Sequence, residues 1–184
     1  MYKSMVVTSA IMLLLSGCGT ARKDKTAEPA PISVTSSAFK DGELIPQPHT
    51  CDGANISPDL SWSGVPSGAQ SLALIVDDPD APEKAFTHWV VFNMPTTITS
   101  LPQAASDEHI TDLGAAFGKN DFGKLEHGGA CPPQGDKPHR YIFTLYALDA
   151  KLDLAAGASK DEVVKAMEGH VVGQGKLTGT YVRS

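Results

Sequence analysis

The sequence is short of several features that would place it in a familiar functional class. It has no run of about 18 apolar residues, the length that a membrane-spanning helix needs. Positive charge is scarce, with 15 Lys and Arg against 21 Asp and Glu, and the net charge of −6 disfavours binding to nucleic acid or to an anionic membrane surface. The sequence also lacks internal repeats and any alternation of strands with helices, which disfavours a repeat architecture and a parallel α/β fold.

The first residues are typical of an export signal. Met1–Lys3 is a short positive start, and Met5–Leu15 is a mainly apolar run of signal-peptide length. The stretch Leu15-Ser-Gly-Cys18 resembles the lipobox of bacterial lipoproteins, which implies cleavage before Cys18 and acylation of that cysteine, with palmitate among the chains. Two acyl chains are enough for stable anchoring in a membrane. A plain secretory signal with an incidental cysteine is the alternative.

We therefore expect three segments: a signal peptide over residues 1–17, a lipidated cysteine and flexible tether over residues 18–31, and a folded domain over residues 32–184. The tether is small, polar and charged, without apolar periodicity. Gly19 stands where an Asp would signal inner-membrane retention in enteric lipoproteins. That resemblance predicts a domain anchored in the bacterial cell envelope, on the periplasmic face of the outer membrane.

The two other cysteines, Cys51 and Cys131, form an even pair in an exported protein, which favours a disulfide bond between them. Both lie in segments rich in turn-forming residues. The bond would close a loop of about 80 residues and stabilise the fold by roughly 4 kcal/mol through the entropy of the unfolded chain. Two reduced, buried thiols are the competing interpretation.

The hydrophobic pattern predicts a fold dominated by strands. Ser71–Asp77 is nearly continuous in apolar residues, which indicates a strand buried on both faces. Residues 96–118 are weakly patterned and are predicted to be loop. The predicted strands are Ile32–Phe39, Leu60–Trp62, Ser71–Asp77, His88–Met94, Tyr141–Leu148 and Lys176–Val182.

Only one helix is expected, and it lies late in the chain. Ser159 and Glu162 have the spacing of a capping box, and Gly169 fits the end of the helix. The residues predicted to share its apolar face are Val163, Val164 and Met167. Several strands with long loops and one late helix predict a β-sandwich with a helical appendage.

The loop Gly128–Tyr141 carries the densest polar chemistry in the chain. Its three prolines and three glycines in fourteen residues preclude a helix and leave few accessible shapes, so we interpret it as a rigid pocket wall. Polar groups at strand ends are a common setting for a small-molecule site. The candidates at strand ends and in adjoining loops are Asp78, Asp80, His88, Cys131, His139, Arg140 and Tyr141.

Each candidate also has a purely structural interpretation. Aspartates beside prolines, as at Asp78 and Asp80, often hydrogen-bond their own backbone in turns. His88 at the start of a buried strand is, taken alone, more often a structural histidine, and His139 with Arg140 is consistent with solvated loop charge. Their occurrence together favours a site.

Three segments resemble the signature blocks of the phosphatidylethanolamine-binding protein (PEBP) family. They are Asp78-Pro-Asp-Ala-Pro82, His88-Trp-Val-Val-Phe-Asn-Met94 and Pro132-Pro-Gln-Gly-Asp-Lys-Pro-His-Arg-Tyr-Ile-Phe143. Asn55–Trp62 and Gly175–Tyr181 resemble the bacterial branch of that family, often described as Raf-kinase-inhibitor-like. The similarity covers about residues 32–184. It implies antiparallel sheets packed as a sandwich, a helix near the C-terminus, and a small pocket for phosphate-type anions such as the phosphoethanolamine head group.

The resemblance also implies the residues of that pocket. The histidines and a tyrosine would donate hydrogen bonds to phosphate oxygens, while the carboxylates would orient the histidines and receive an ammonium group. By matching motif positions, the pocket would be lined by Asp78, Asp80, Pro82, His88, Cys131, Pro132, Pro133, His139 and Tyr141.

A binding or inhibitor-like module is therefore the leading hypothesis, with no catalytic residue, cofactor or metal ion. Its expected partners are a phosphate-type anion or phospholipid head group, the membrane through the lipid anchor, and an envelope enzyme of the kinase or protease type. A hydrolase with Cys131 as nucleophile and His139 as base is the alternative, which a disulfide at Cys131 would exclude. A metal site from His88, His139 and an aspartate is a third possibility, although no H-E-x-x-H spacing is present.

Overall fold

The computed structural model describes residues 28–183, so the predicted signal peptide, Cys18 and most of the predicted tether lie outside the described residues. Within this range no helix is long and apolar enough to cross a membrane. The strands of the range are β1 Ala30–Pro31, β2 Ser33–Thr35, β3 Leu60–Ser63, β4 Ser71–Asp78, β5 Phe86–Met94, β6 Ser100–Leu101, β7 Ala116–Phe117, β8 His139–Leu148 and β9 Val171–Tyr181. The helices are α1 Asp107–Asp112, α2 Lys160–Met167 and a 3-10 helix at Gln47–His49.

Two sheets form the body of the described chain, which confirms the predicted β-sandwich. The larger sheet has the strand order β1-β9-β8-β4-β5-β7, and the smaller one has the order β2-β3-β6. Every pair of neighbouring strands is antiparallel except β1 with β9. Strands β8 and β9 pair along nearly their whole length, from His139 opposite Tyr181 to Leu148 opposite Val171. This pairing holds the first residues of β8 in a fixed position.

Strand β4 is central and buried on both faces, as predicted from its continuous apolar sequence. Successive side chains of a strand point to opposite faces. Leu72 and Leu74 accordingly belong to the core between the two sheets, together with Trp62 of β3. Ile75 belongs to a second core on the outer face, with Val163 of α2. Burying a side chain of this size contributes roughly 1.5–3 kcal/mol.

The predicted helix near the C-terminus is present as α2 and begins at the predicted capping box. The Ser159 Oγ accepts a hydrogen bond from the Glu162 backbone N–H at 3.3 Å, and the Glu162 carboxylate accepts one from the Ser159 backbone N–H at 2.8 Å. Val163 and Met167 are its buried residues, whereas Val164, predicted on the same face, is 38% exposed. Gly169, just beyond the helix, has a φ of +76°, a conformation that glycine adopts at little cost.

The prediction of loop over residues 96–118 is wrong for α1 and for the two-residue strands β6 and β7. Ser106 caps this helix, since its Oγ accepts a hydrogen bond from the His109 backbone N–H at 3.2 Å. Ile110 is the one buried residue of the helix. A single buried position produces no helical periodicity, so the hydrophobic pattern does not reveal the element.

The outermost strand predictions are also incorrect in their bounds. The predicted strand Ile32–Phe39 is shortened to β2, because the backbone N–H and the hydroxyl of Ser37 both donate to the Asp59 carboxylate, at 3.0 and 2.9 Å, instead of continuing a ladder. Strand β9 begins well before the predicted Lys176. Its early part contains Gly173, where a Cβ would lie 2.9 Å from Pro66, so close packing requires a residue of low strand propensity.

Candidate ligand-binding site

A cavity of about 190 Å³ opens where the ends of three strands meet. Both β5 and β8 run antiparallel to β4 on either side of it. The end of β4 therefore lies beside the starts of β5 and β8, which brings Asp78, His88 and His139 together from distant parts of the sequence. Seven of the nine predicted residues line the cavity, namely Asp78, Pro82, His88, Cys131, Pro132, Pro133 and His139, together with Ala81, Phe86 and Phe122.

A buried carboxylate and imidazole form the polar centre of the cavity. His139 and Asp78 are only 1% and 3% exposed, and His139 Nδ1 lies 2.7 Å from Asp78 Oδ2. The second Asp78 oxygen accepts the Asp80 backbone N–H at 2.8 Å, so both oxygens of the carboxylate are used to hold its position. The other ring nitrogen of His139, Nε2, is 3.5 Å from Oδ2 of the half-exposed Asp136. Within residues 28–183, no group of three or more His, Cys, Asp or Glu side chains is arranged to hold a metal ion.

The second imidazole is oriented by backbone carbonyl groups. His88 Nδ1 lies 2.9 Å from the Gly128 carbonyl oxygen and 3.1 Å from that of Gly129, so Nδ1 carries the proton and donates it to them. This leaves Nε2 for the cavity. Burial lowers the pKa of His88, although the Gly128 contact and the Asp78 charge act in the opposite direction. His88 is therefore neutral at pH 7, with Nε2 as a hydrogen-bond acceptor.

The wall formed by the proline-rich loop is tied down covalently. Cys51 and Cys131 form a disulfide bond, with Cα atoms 5.3 Å apart and 80 positions of separation in sequence. Two further contacts secure the same segment: the Cys51 backbone N–H donates to the Ala130 carbonyl at 3.1 Å, and Gly129 N–H donates to Asn55 Oδ1 at 2.8 Å. The sulfur of Cys131 is thus part of the wall and is not a thiol.

Asp80 lies outside the cavity lining, although the sequence places it in the pocket. Its carboxylate accepts three hydrogen bonds from Arg140, from the backbone N–H at 2.9 Å and from Nε and Nη2 at 2.8 Å each. The hydrogen bonds from the Arg140 side chain lower the pKa of Asp80 to about 2. Asp80 joins the loop after β4 to the start of β8 and so positions the neighbouring Asp78 and His139.

Tyr141 is likewise absent from the lining and packs behind it. Its ring meets that of His88 edge-on, with centroids 5.0 Å apart, and the residue is 1% exposed. Burial raises the pKa of Tyr141 far above its usual range, so the phenol keeps its proton. Among the described residues no hydrogen bond of good geometry reaches the buried hydroxyl, although the Cys131 backbone and the Asp78 carboxylate lie close enough to influence its pKa.

This arrangement agrees with comparisons to known proteins. The family model described as "Phosphatidylethanolamine-binding protein" matches residues 35–182. The chain belongs to this family.

Relatives within the PEBP family span nearly the whole domain. A UPF0098 protein of Methanothermobacter thermautotrophicus is 54% identical over 152 residues, which cover 83% of this chain and 99% of the relative. The solved structure of Escherichia coli YbcL, described as a new member of the mammalian PEBP family, has 41% identity and a TM-score of 0.78, covering 83% of this chain and 99% of that one. A PEBP homologue from Chlamydia trachomatis has 38% identity and a TM-score of 0.76, covering 85% and 100% of the two chains.

Two aromatic residues of the cavity are missing from the prediction. Phe86 and Phe122 pack edge to face with ring centroids 4.8 Å apart, and each also contacts the ring of His88, at 5.2 and 5.4 Å. Phe86 precedes the predicted strand and Phe122 lies in a turn-rich segment, so no periodicity marks either residue. An aromatic side chain in a turn close to a rigid loop is the signal that could have identified Phe122.

Proposed function

We propose that this PEBP family member is a binding module for a small phosphate-type anion, such as the phosphoethanolamine head group. The observation that carries the proposal is the buried pair of imidazoles, His88 and His139, in a cavity with proline and disulfide walls. Each imidazole is already anchored through Nδ1, one by backbone carbonyls and the other by Asp78. Each therefore offers Nε2 to a ligand in a fixed direction.

Binding of the oxyanion is coupled to protons. Because both Nδ1–H groups are used, a bare oxyanion receives hydrogen bonds from the two Nε2 atoms only when the imidazoles are protonated. At pH 7 the complex therefore contains a proton on His88 that the free protein lacks, so affinity falls as the pH rises. Since burial lowers the pKa of free His88, the bound anion must raise that pKa again.

The carboxylates suit a zwitterionic ligand better than a simple anion. Asp78 is fully engaged and acts by orienting His139. Asp136 is 47% exposed and lies 3.5 Å from His139 Nε2, beyond ordinary hydrogen-bond distance. In the proposed complex the ligand's oxyanion replaces Asp136 beside Nε2, and the freed carboxylate receives the ammonium group.

The disulfide favours a binding module over the alternative hydrolase. A cysteine nucleophile must be a thiolate, whereas Cys131 Sγ is bonded to Cys51. Counting free thiols in the mature protein tests this point. None are expected, and a reactive thiol at Cys131 would restore the hydrolase.

We further propose a cellular setting for the module. The lipobox-like Leu15–Cys18 supports a lipoprotein held at the periplasmic face of the outer membrane, in the Raf-kinase-inhibitor-like branch of the family. The module would there regulate an envelope enzyme. Labelling of the expressed protein with radioactive palmitate, lost in Cys18→Ala, tests the anchor.

Calorimetric titration with phosphoethanolamine tests ligand binding. The chain offers a matched control, because His170 forms a second His–Asp pair with Asp149, at 2.8 Å, near the opposite end of β8. His139→Gln removes a charge-assisted hydrogen bond worth about 1.5–3 kcal/mol, so we expect affinity to fall about tenfold or more. His170→Gln should bind like the wild type. Equal effects of both substitutions, or no binding by the wild type, would refute the proposal.

A further inference from the structure

A second cavity lies beside the ligand cavity and shares part of its wall. Its volume is about 110 Å³, and its lining includes Asn55, Gly128 and the ion-paired Lys124 and Glu126. Phe122 and Cys131 line both cavities. These two side chains therefore form a partition between the spaces.

The two side chains of the partition, Cys131 and Phe122, differ in how freely they can move. Cys131 is fixed by its bond to Cys51. Phe122 is 45% exposed, and its hydrocarbon ring has no hydrogen bond that would hold it. Rotation of this one side chain is thus the way in which the two cavities can become continuous.

Phe122 nevertheless occupies a definite seat. A Cβ at Gly128 would lie 2.6 Å from Phe122 Cδ2, so the ring rests directly against the glycine backbone. Its edge-to-face contacts with Phe86 and His88 complete the seat. Single apolar side chains on a protein surface are common, but Phe122 is packed against Gly128, Phe86 and His88. The ring is therefore half-exposed and yet held in a defined position between the two cavities.

We propose that Phe122 is a specificity-determining residue that limits the length of the ligand. This inference rests on the proposed function, because the anion is taken to occupy the cavity of His88 and His139. With the ring in its seat, the site accepts a short phosphate monoester. A phosphodiester with a longer alcohol portion reaches the second cavity only by displacing the ring, and it loses the ring contacts in doing so.

The volumes support this assignment. Pockets for drug-sized ligands occupy about 300–1,000 Å³. Each cavity alone is smaller than that, at about 190 and 110 Å³, but the joined space reaches the lower end of the range. The partition therefore decides whether the site is a compartment for a small head group or a cleft for a longer molecule.

The test compares two ligands across matched variants. Affinities for phosphoethanolamine and for glycerophosphoethanolamine are measured in the wild type, Phe122→Ala, Phe122→Leu and Leu125→Ala. Leu125 is a good control, since it is 42% exposed on the same segment and lines neither cavity. Within one variant, the ratio of the two affinities cancels any uniform loosening of the fold. Comparing that ratio between variants cancels general differences between the ligands.

The wild type should prefer the short ligand, and Phe122→Ala should shift the ratio towards the long one by about tenfold, the size of a typical pocket-group effect. Phe122→Leu should shift it less, and Leu125→Ala should leave it unchanged. An unchanged ratio in Phe122→Ala, with both ligands still binding, would refute the role of Phe122 alone. Failure of both ligands to bind the wild type would refute the proposed function and this inference with it.

Discussion

Simultaneous replacement of Cys51 and Cys131 by alanine separates the two roles of the disulfide. The bond spans 80 positions of the sequence. Loop-closure entropy for a loop of that length gives a loss of roughly 4 kcal/mol in the free energy of unfolding. This is a large part of the free energy of unfolding of a typical domain, which is roughly 5–15 kcal/mol. The variant should therefore unfold at much lower denaturant concentration.

The double substitution should change the position of the pocket wall less than it changes the stability of the fold. The Cys51 N–H to Ala130 carbonyl bond and the Gly129 N–H to Asn55 Oδ1 bond both survive the substitution. We expect phosphoethanolamine to bind the folded double variant with affinity reduced by less than about tenfold, since two contacts worth about 1 kcal/mol each still hold the loop.

Equilibrium unfolding in urea, followed by tryptophan fluorescence, measures the stability change. The wild type should lose the same free energy when a reducing agent is added, whereas the double variant should not respond to it. A loss below about 1 kcal/mol would show that the crosslink does not restrict the unfolded chain as the loop-entropy account requires.

Two further predictions concern other parts of the fold. Burial lowers the pKa of His127 to about 3. Below about pH 6.5 the unfolded chain therefore binds a proton at this residue that the folded protein does not bind. The free energy of unfolding should then fall by as much as ~1.4 kcal/mol per pH unit. Unfolding at pH 7 and pH 5 should therefore show a smaller acid loss in His127→Gln than in the wild type, and equal losses would contradict this reading. Ser159→Ala removes the cap of α2 and should cost about 1 kcal/mol, while Ser67→Ala at an exposed turn should change the unfolding free energy by less than about 0.5 kcal/mol; similar costs for both would count against the capping box.

The sequence reveals those parts of the fold that depend on regular patterns. The continuous apolar run of β4 and the capping box of Ser159 are local signals, and both lead to correct elements. Helix α1 is not predicted because Ile110 is its one buried residue, so the helix has no apolar periodicity. The early part of β9 is not predicted because Gly173 and Gly175 have low strand propensity. Glycine is needed there because Pro66 packs against Gly173 and Ile32 packs against Gly175 in the folded chain.

The candidate site likewise contains some residues that the sequence identifies and others that only the folded structure identifies. Polar residues at strand ends, such as His88 and His139, can be recognised because antiparallel neighbours bring their ends together. The outward turn of Asp80 depends on a trio of bonds to Arg140, sixty positions away, which no local pattern shows. Phe122 is placed by contact with Gly128, again a property of the folded chain.

The most direct test of the central claim is nitrogen-15 NMR of the histidine rings at pH 7 during titration with ethanolamine O-sulfate. A sulfate ester does not change its charge near neutral pH, so any protons in the complex must come to the imidazoles. We predict that Nε2 of His88 shifts towards the protonated form and that the ring signals of His139 also move, while the ring of His170 near the far end of β8 does not change. An absence of shifts at millimolar ligand, or equal shifts in all three residues, would contradict an anion site at His88 and His139.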